Sequence, residues 1–415
     1  MKVVMFTDAY YPRINGVAVS VKSFADSLAI LGHKVLIVAS DYTNNHIDEN
    51  ERETFFKHFR YEDDPNGNKN LSILRLPADK IIFSKEDRTV RLNQWYIIKA
   101  EVDKFGPDVV HVNSEFAMGW FGVTYARHRH VALIFTFHTL WEDYLANYVH
   151  FLPSSWSQKL GKNLVKFYLK RADEIIVPTA RIGGVIGEYG VSRPYDILPT
   201  GIPSSVVSFN KKKSVDFYKK LYEEFPQLEG KRILLYIGRV VKEKNLPFLF
   251  DVLERVLPSV PDAVLLFVGG GPELEALKAA ASERGLSDRA IFAGYRERGD
   301  LVYFYKMASV FTFPSVTETQ GLVTVEAMLT GLPVVAIGEM GTLDVMQGDN
   351  GGFMVGNDAD EFARRTIELL SDSKLHSKKS KEAFEWAQKW SMKFLAPRLV
   401  ALYKKGIKNH KKGNR

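Results

Sequence analysis

Cysteine is absent from the 415 residues, which excludes disulfide staples, thiolate nucleophiles and cysteine-based metal sites, and is compatible with a reducing compartment. No run of about twenty apolar residues occurs, so no segment is expected to span a membrane as a helix, and the first seven residues read as a strand rather than a signal core. Acid is missing in two places. No Asp or Glu lies between Ser154 and Ala172, and none lies between Lys404 and Arg415, where six basic residues account for all but one unit of the +7 net charge. A body so close to neutral argues against a nucleic-acid groove. The glycine run Gly269–Gly271 lacks the Gly-Lys-Ser/Thr that a P-loop requires. What remains is an ordinary globular composition, 46% hydrophobic and 25% charged, long enough for two or three domains.

The densest pattern lies in residues 315–337. The apolar runs Ser309–Phe313 and Pro333–Ile337 read as buried strands, and the stretch between them as a loop feeding a short helix that begins near Gln320-Gly321 and stops at Gly331. Glu318 and Glu326 stand eight apart across that helix start. Backbone N–H groups at a helix N-terminus hold an anion, and carboxylates accept from hydroxyls. A ligand that is both anionic and polyhydroxylated is a nucleotide sugar.

Glu318-x7-Glu326, followed by Ala327-Met328 and Gly331–Ala336, resembles the signature of retaining GT-B glycosyltransferases of family 4. The resemblance implies two Rossmann-like α/β domains facing across a cleft, with a C-terminal helix crossing back to the first domain. It implies that Glu318 contacts the transferred sugar, that Glu326 contacts the ribose hydroxyls, and that the backbone of Thr319, Gln320, Gly321 and Leu322 meets the sugar and diphosphate.

Taken from the start, residues 3–7, a helical spacing over 17–31 ending at Gly32, and Lys34–Ala39 form a βαβ opening. The loop between strand and helix places Asn15-Gly16 where backbone can approach a phosphate. Where the family has a glycine-rich turn, only Gly16 carries over. Residues 43–70 are polar and read as an irregular excursion. Residues 78–103 mix Ile81, Phe83, Arg88, Arg91, Trp95 and Ile98 and read as a helix or a pair of helices. In lipid-modifying relatives this neighbourhood belongs to the membrane-facing side of the acceptor cleft.

Pro107–Val112 and Ala132–His138 read as further parallel strands, and ligands of such sheets bind outside the carboxyl ends. His138 opens a segment, His138–Tyr144, that resembles the family's histidine segment near the reacting sugar; a satisfied core histidine is the alternative there and at His111. Tyr10, Trp141, Asp143 and Tyr144 are the acceptor-side candidates. In the acid-free stretch, Trp156, Leu160, Leu164 and Phe167 fall on one helical stripe and Lys159, Lys162, Lys166 and Lys170 on another. That pattern fits a helix lying in a membrane interface or an ordinary sheet-covering helix with solvated lysines. The basic end from Lys404 reads as a tail, either solvated or gripping anionic lipid.

The first domain is expected to span 1–202, joined by 393–415, and the second 203–392. In the second, Arg232–Gly238 is a strand whose exit carries Arg239 and Lys244, one a fork and the other a point charge for a diphosphate. Arg-x4-Lys resembles the family's donor-phosphate pair. Gly294 and Tyr295 end a strand that resembles the nucleobase-reading one. Asp358-Ala-Asp360 precedes a helix and reads as an N-cap rather than a metal motif.

These readings lead to one expectation, with His138, Arg239, Lys244 and Glu318 as its catalytic residues. The chain is expected to move a hexose, glucose, from a UDP-sugar co-substrate to a lipid acceptor such as 1,2-diacylglycerol, with retention, no cofactor and no metal. Phe6–Pro12, Asn15–Val17 and Phe137–Tyr144 resemble diacylglycerol glucosyltransferases most. The expected place is cytoplasmic, peripheral on an anionic membrane surface at the inner face. A soluble or lipid-linked glycan acceptor is the alternative within the class. A nucleotide-sugar epimerase is the alternative outside it, but no ionisable pair around a sugar C2 is identifiable.

Overall fold

The computed structural model describes residues 1–13, 15–42, 59–64, 67–81, 84–138, 154–318, 320–348 and 350–413. The chain divides into two compact units, Met1–Gly201 with Met392–Arg415, and Ile202–Ser391. Each is a Rossmann-like α/β unit.

Among the described residues the first unit has ten strands: β1 (Lys2–Thr7), β2 (Lys34–Ser40), β3 (Arg60–Asp63), β4 (Leu71–Leu76), β5 (Ala78–Ile81), β6 (Ser84–Val90), β7 (Val109–Val112), β8 (Ala132–Thr136), β9 (Glu174–Val177) and β10 (Asp196–Ile197). Eight of them form one sheet in the order β10-β9-β8-β7-β1-β2-β4-β3. All pair in parallel except β3, which runs antiparallel to β4. The central strands are nearly continuous apolar runs because helices cover both faces, whereas the edge strand β3 is polar. Val4 and Phe6 belong to the core on one face, and Val3 and Met5 to the core on the other.

Three expectations change here. The stretch 78–90 is not helical: β5 and β6 form an antiparallel hairpin in which Arg88 stands opposite Lys80 and Thr89 opposite Asp79, and only Trp95–Phe105 is α-helix. Its aromatic and basic residues imitate a helical mixture, but the cross-strand register and the Arg91–Asp79 ion pair at 2.6 Å are tertiary facts. The polar excursion contributes β3 to the sheet edge, while residues 43–58 lie outside the described residues. The basic end is not a tail as far as Gly413: Met392–Gly413 is one helix. Leu395, Leu399 and Tyr403 sit in the core on the Val3 face, and Lys405 pairs with Glu174 at 3.1 Å and Asp196 at 2.6 Å.

The second unit has a six-stranded parallel sheet made of β11 (Arg232–Ile237), β12 (Ala263–Val268), β13 (Ala290–Gly294), β14 (Val310–Phe313), β15 (Val334–Ile337) and β16 (Gly352–Val355). Their order is β13-β12-β11-β14-β15-β16. The order reverses between β11 and β14, so the loops leaving these adjacent strands diverge and open a crevice at their carboxyl ends. In the first unit the equivalent reversal falls between β1 and β7.

The C-terminal helix can approach β8 closely because Gly406 lacks a side chain: a Cβ there would lie 2.3 Å from Ile134 Cδ1 and 3.3 Å from Glu174 Cβ. Gly406→Val is expected to lower the stability of the protein by about 2 kcal/mol through overpacking, read as a lower midpoint in urea denaturation.

Candidate donor site

The second unit's reversal point is assembled from the two loops that leave β11 and β14. Gly238 follows β11, and the chain then passes Arg239 into the 3-10 turn Lys242–Lys244, closed by Asn245 in the left-handed region (φ 54°). Beside it, the loop after β14 runs from Pro314 to Gly321 and enters the helix Leu322–Leu329. Gly321 sits at φ +59°, a conformation that glycine adopts at no steric cost.

The two loops are laced together. Lys244 Nζ donates to Glu318 Oε2 at 2.8 Å and to Ser315 Oγ at 3.3 Å, and Thr317 Oγ1 donates to the Glu243 carbonyl at 3.2 Å. The Glu318 carbonyl accepts from Gly341 N–H at 2.7 Å, tying the loop to the next turn of chain. Lys244 and Glu318 are only 12% and 20% exposed, so this pair is largely withdrawn from water. Arg239 instead lies out in solvent, paired with Glu243 at 3.2 Å and 74% exposed. Lys244, Ser315 and Glu318 are therefore brought together, and Arg239 flanks them at the surface.

Gly269–Gly271 explain how a second loop can lie against this one. A Cβ on Gly269 would fall 1.9 Å from the Gly238 carbonyl oxygen, and one on Gly271 2.1 Å from that of Val240. Gly294, at the end of β13, accepts from Gly269 N–H at 2.8 Å, and the neighbouring Tyr295 ring is exposed. Gln320 and Leu322 are half-buried at the helix start; Thr319 lies outside the described residues.

Glu326 is buried within the same helix. Its Oε1 accepts from Arg298 Nη2 at 2.8 Å, and its Oε2 accepts from Tyr305 Oη at 3.1 Å. Burial raises the Glu326 carboxyl above the usual range, and the Arg298 charge and the Tyr305 hydrogen bond oppose that rise. No local pattern marks Arg298 or Tyr305: each is one basic or aromatic residue among several, and their partner is 28 and 21 positions away. Asp358 caps its helix as expected, accepting from the N–H groups of Asp360 and Glu361 at 2.8 and 3.2 Å. Among the described residues no cluster of three His, Asp or Glu has metal-site geometry.

In the first unit the reversal point holds Asp8 and Ser114. Ser114 Oγ donates to Asp8 Oδ2 at 2.7 Å, and Met118 N–H, at the start of the helix Ala117–Arg129, donates to Oδ1 at 3.2 Å. Gly16 opens the helix Gly16–Ile30, whose cap is Asn15, accepting from Ala18 N–H at 2.8 Å. A Cβ on Gly16 would meet nothing within 4 Å, so packing does not demand glycine there. Tyr10 is not at an open surface: it is buried in the core, with the Arg75 guanidinium 5.0 Å from its ring centroid. Trp141, Asp143 and Tyr144 lie outside the described residues.

His111 is a satisfied core histidine, bridging Tyr403 Oη at 2.8 Å and Thr136 Oγ1 at 2.6 Å. His138 follows β8; its Nε2 is covered and has no partner among the described residues. Burial lowers His138 to about 4 and His111 to about 3, so both are neutral at pH 7.

Comparison with known proteins accords with this architecture. The family model "Glycosyltransferase Family 4" matches residues 14–206, and "Glycosyl transferases group 1" matches residues 219–386. The chain belongs to the GT-B glycosyltransferases, with a family 4 domain followed by a group 1 domain. It is similar to the alpha-monoglucosyldiacylglycerol synthase of Acholeplasma laidlawii, 27% identical over 100% of both chains. The enzyme of the same name from Streptococcus pneumoniae is 29% identical over 81% of this chain and 71% of its own. The solved sucrose-phosphate synthase of Thermosynechococcus elongatus has the same fold, with a TM-score of 0.69, 20% identity, and 97% of this chain and 98% of that one covered.

The histidine burial has a measurable consequence. Because the folded-state value of His138 is depressed, its contribution to stability is present above the unfolded value of about 6.5 and is lost as pH falls toward 4. Asp8 runs the other way: burial raises it to about 6, so its contribution is lost as pH rises from 3.8 to 6. A difference measurement isolates the histidine. Between pH 7 and pH 4 the wild type is expected to lose about 2 kcal/mol relative to His138→Gln, read from paired urea titrations at each pH.

Proposed function

We propose that this chain transfers a glucosyl residue from a UDP-sugar to a membrane lipid, 1,2-diacylglycerol, with retention of the anomeric configuration. The Lys244–Glu318 pair at the reversal point of the second unit carries the donor half: a withdrawn ammonium and carboxylate, side by side at a helix N-terminus, match an anion joined to a polyol. The acceptor half is supported by similarity along the whole chain to glucosyldiacylglycerol synthases.

Breaking the bond between the anomeric carbon and the diphosphate leaves negative charge on the departing oxygen. Lys244, Arg239 and the N-terminus of the helix Leu322–Leu329 would stabilise it, an electrostatic contribution that is largest where water is excluded. Once phosphate takes up the Lys244 ammonium, Glu318 can accept from sugar hydroxyls instead. It positions the sugar and is not a nucleophile in this scheme. The acceptor hydroxyl attacks on the face that the leaving group departs from, its oxygen bonds to the anomeric carbon, and its proton passes to the departing phosphate oxygen. His138, neutral at pH 7, would offer a hydrogen bond rather than a charge. Leaving-group charge is met by side chains and backbone, so no metal and no cofactor enter the scheme.

The same reading places the protein at the inner face of the cell membrane, on anionic lipid. No described helix is long and apolar enough to cross a bilayer. Two basic helices are candidates for the contact, and they cover opposite faces of the first sheet. The helix Ser154–Leu169 packs Val165, Tyr168 and Leu169 into one core, with Leu164 and Phe167 against it, whereas Met392–Gly413 packs into the other. One flat membrane cannot lie along both. Lys162 and Lys166 are half-buried, Lys162 Nζ lying 5.8 Å from the Tyr189 ring centroid, which leaves Lys159 and Lys170 as outward charges. Lys404, Lys408, Lys411 and Lys412 are exposed on the C-terminal helix.

Three outcomes are expected. Arg239→Ala should lower turnover about a hundredfold, on the order of 3 kcal/mol of transition-state stabilisation; near-wild-type turnover removes Arg239 from the leaving-group site. EDTA should leave turnover with UDP-glucose and diacylglycerol unchanged, and loss restored by manganese or magnesium would replace the cation scheme by an ion. Sedimentation with anionic vesicles should retain the protein at low salt and release it at high salt, each outward lysine contributing roughly 1 kcal/mol. Lys404/Lys408/Lys411/Lys412→Gln and Lys159/Lys170→Gln then distinguish the two helices, and a wild type that ignores anionic vesicles overturns the membrane reading.

A further inference from the structure

The carboxylate of Glu326 is buried, yet one of its two partners reaches it from the surface. Arg298 lies in the 3-10 turn Arg298–Asp300, directly after the strand end at Gly294 and Tyr295. Its side chain is 39% exposed, whereas that of Glu326 is 4% exposed. The second partner, Tyr305, is fully buried and comes from the helix Leu301–Met307, which follows the same turn. One short segment, 298–305, thus supplies both donors that hold Glu326, one to each oxygen.

A carboxylate has about four acceptor positions, two on each oxygen. With Arg298 on Oε1 and Tyr305 on Oε2, one position remains on each. Two donors set at the spacing of a vicinal diol, such as the 2′- and 3′-hydroxyls of a ribose, match the two that remain. The match requires the group to stay a carboxylate and to keep one rotamer. A buried, unpaired carboxylate does neither well, because burial favours the protonated form and that form gives up an acceptor position.

We propose that Arg298 is a positioning residue for the nucleotide: by pairing with Glu326 Oε1 while Tyr305 holds Oε2, it fixes an ionised carboxylate whose remaining acceptor positions receive the two ribose hydroxyls. This rests on the UDP-sugar donor of the proposed function and on the contact between Glu326 and the ribose hydroxyls that the family resemblance implies, and it adds the residue on which that contact depends. Arg298 acts through Glu326 and not on the reacting bond. Its substitution should therefore change donor affinity and its pH dependence more than turnover at saturation. Arg298 and Tyr305 are the charged and titratable groups that face Glu326 among the described residues, so removing Arg298 leaves only a neutral donor against the effect of burial.

The test is calorimetric binding of UDP and of 2′-deoxy-UDP to the full-length wild type and to Arg298→Met, Arg298→Lys and Glu326→Gln, with donor KM and kcat measured alongside. The wild type should prefer UDP over the deoxy compound by at least about tenfold, the scale of one hydrogen bond to a charged acceptor. Arg298→Met should bind UDP about tenfold more weakly, lose most of that preference, raise donor KM more than it lowers kcat, and move the acid limb of binding to higher pH. Arg298→Lys, which keeps the charge, should recover part of each. Arg298→Met with wild-type affinity, preference and pH profile overturns the proposal. If instead Glu326→Gln also keeps the wild-type affinity and preference, the ribose assignment itself fails. Loss of preference in Glu326→Gln but not in Arg298→Met leaves that assignment standing and sinks the role of Arg298.

Discussion

The ion pair between Lys244 and Glu318 is the contact on which the second unit's site depends. Two loops leave neighbouring strands at the point where the sheet order reverses, and nothing in their covalent connection holds them together. Lys244 reaches across to Ser315 and Glu318, and Thr317 reaches back to the Glu243 carbonyl. A largely withdrawn pair of charges costs desolvation that its attraction only partly offsets. Such a pair contributes more to geometry than to stability. In the proposed function it would hold an ammonium for phosphate and a carboxylate for hydroxyls, each neutralised by the other until a ligand carrying both chemistries replaced the contact.

The same logic extends outward from that pair. Arg239 with Glu243 and Arg298 with Glu326 are also cation and carboxylate couples, but they differ in burial. The first is on the surface, where such a pair contributes little to stability and yields easily to a phosphate. The second anchors a buried carboxylate and is expected to persist when ligand is bound. Three couples at one sheet edge therefore span a range from exchangeable to fixed, set by how far each is withdrawn from water.

The first unit repeats the topology with different contents at its reversal point. Asp8 sits against the N-terminus of the helix Ala117–Arg129 and against Ser114, so its carboxylate is used internally. The nearby histidines are neutral because they are buried. Lysines are instead concentrated on two helices, Ser154–Leu169 and Met392–Gly413, that cover the two sheet faces.

Most strands of both sheets could be read directly as apolar runs, because strands covered on both faces need little else, whereas the polar edge strand β3 could not. The helix start at Gly321 and its stop at Gly331 were legible too, since each requires φ > 0 and the sequence offers glycine. So was the Asp358 cap, carried by residues within a few positions of one another, whereas the meeting of Glu318 with Lys244, 74 positions apart, was not. The hairpin over 78–90, the helical continuation past Lys404, the burial of Tyr10 under Arg75, and the hold of Arg298 and Tyr305 on Glu326 were not legible. Each depends on a partner distant in sequence: a cross-strand register, a groove opened by Gly406 over Ile134, a guanidinium from another strand, a turn from the next layer. Sequence alone determined most of the elements and the chemistry their side chains could carry, because local backbone and side-chain preferences act over a few residues. Tertiary structure alone decided which charges meet, because burial and distance set the strength of an ion pair, and neither exists until the chain has folded.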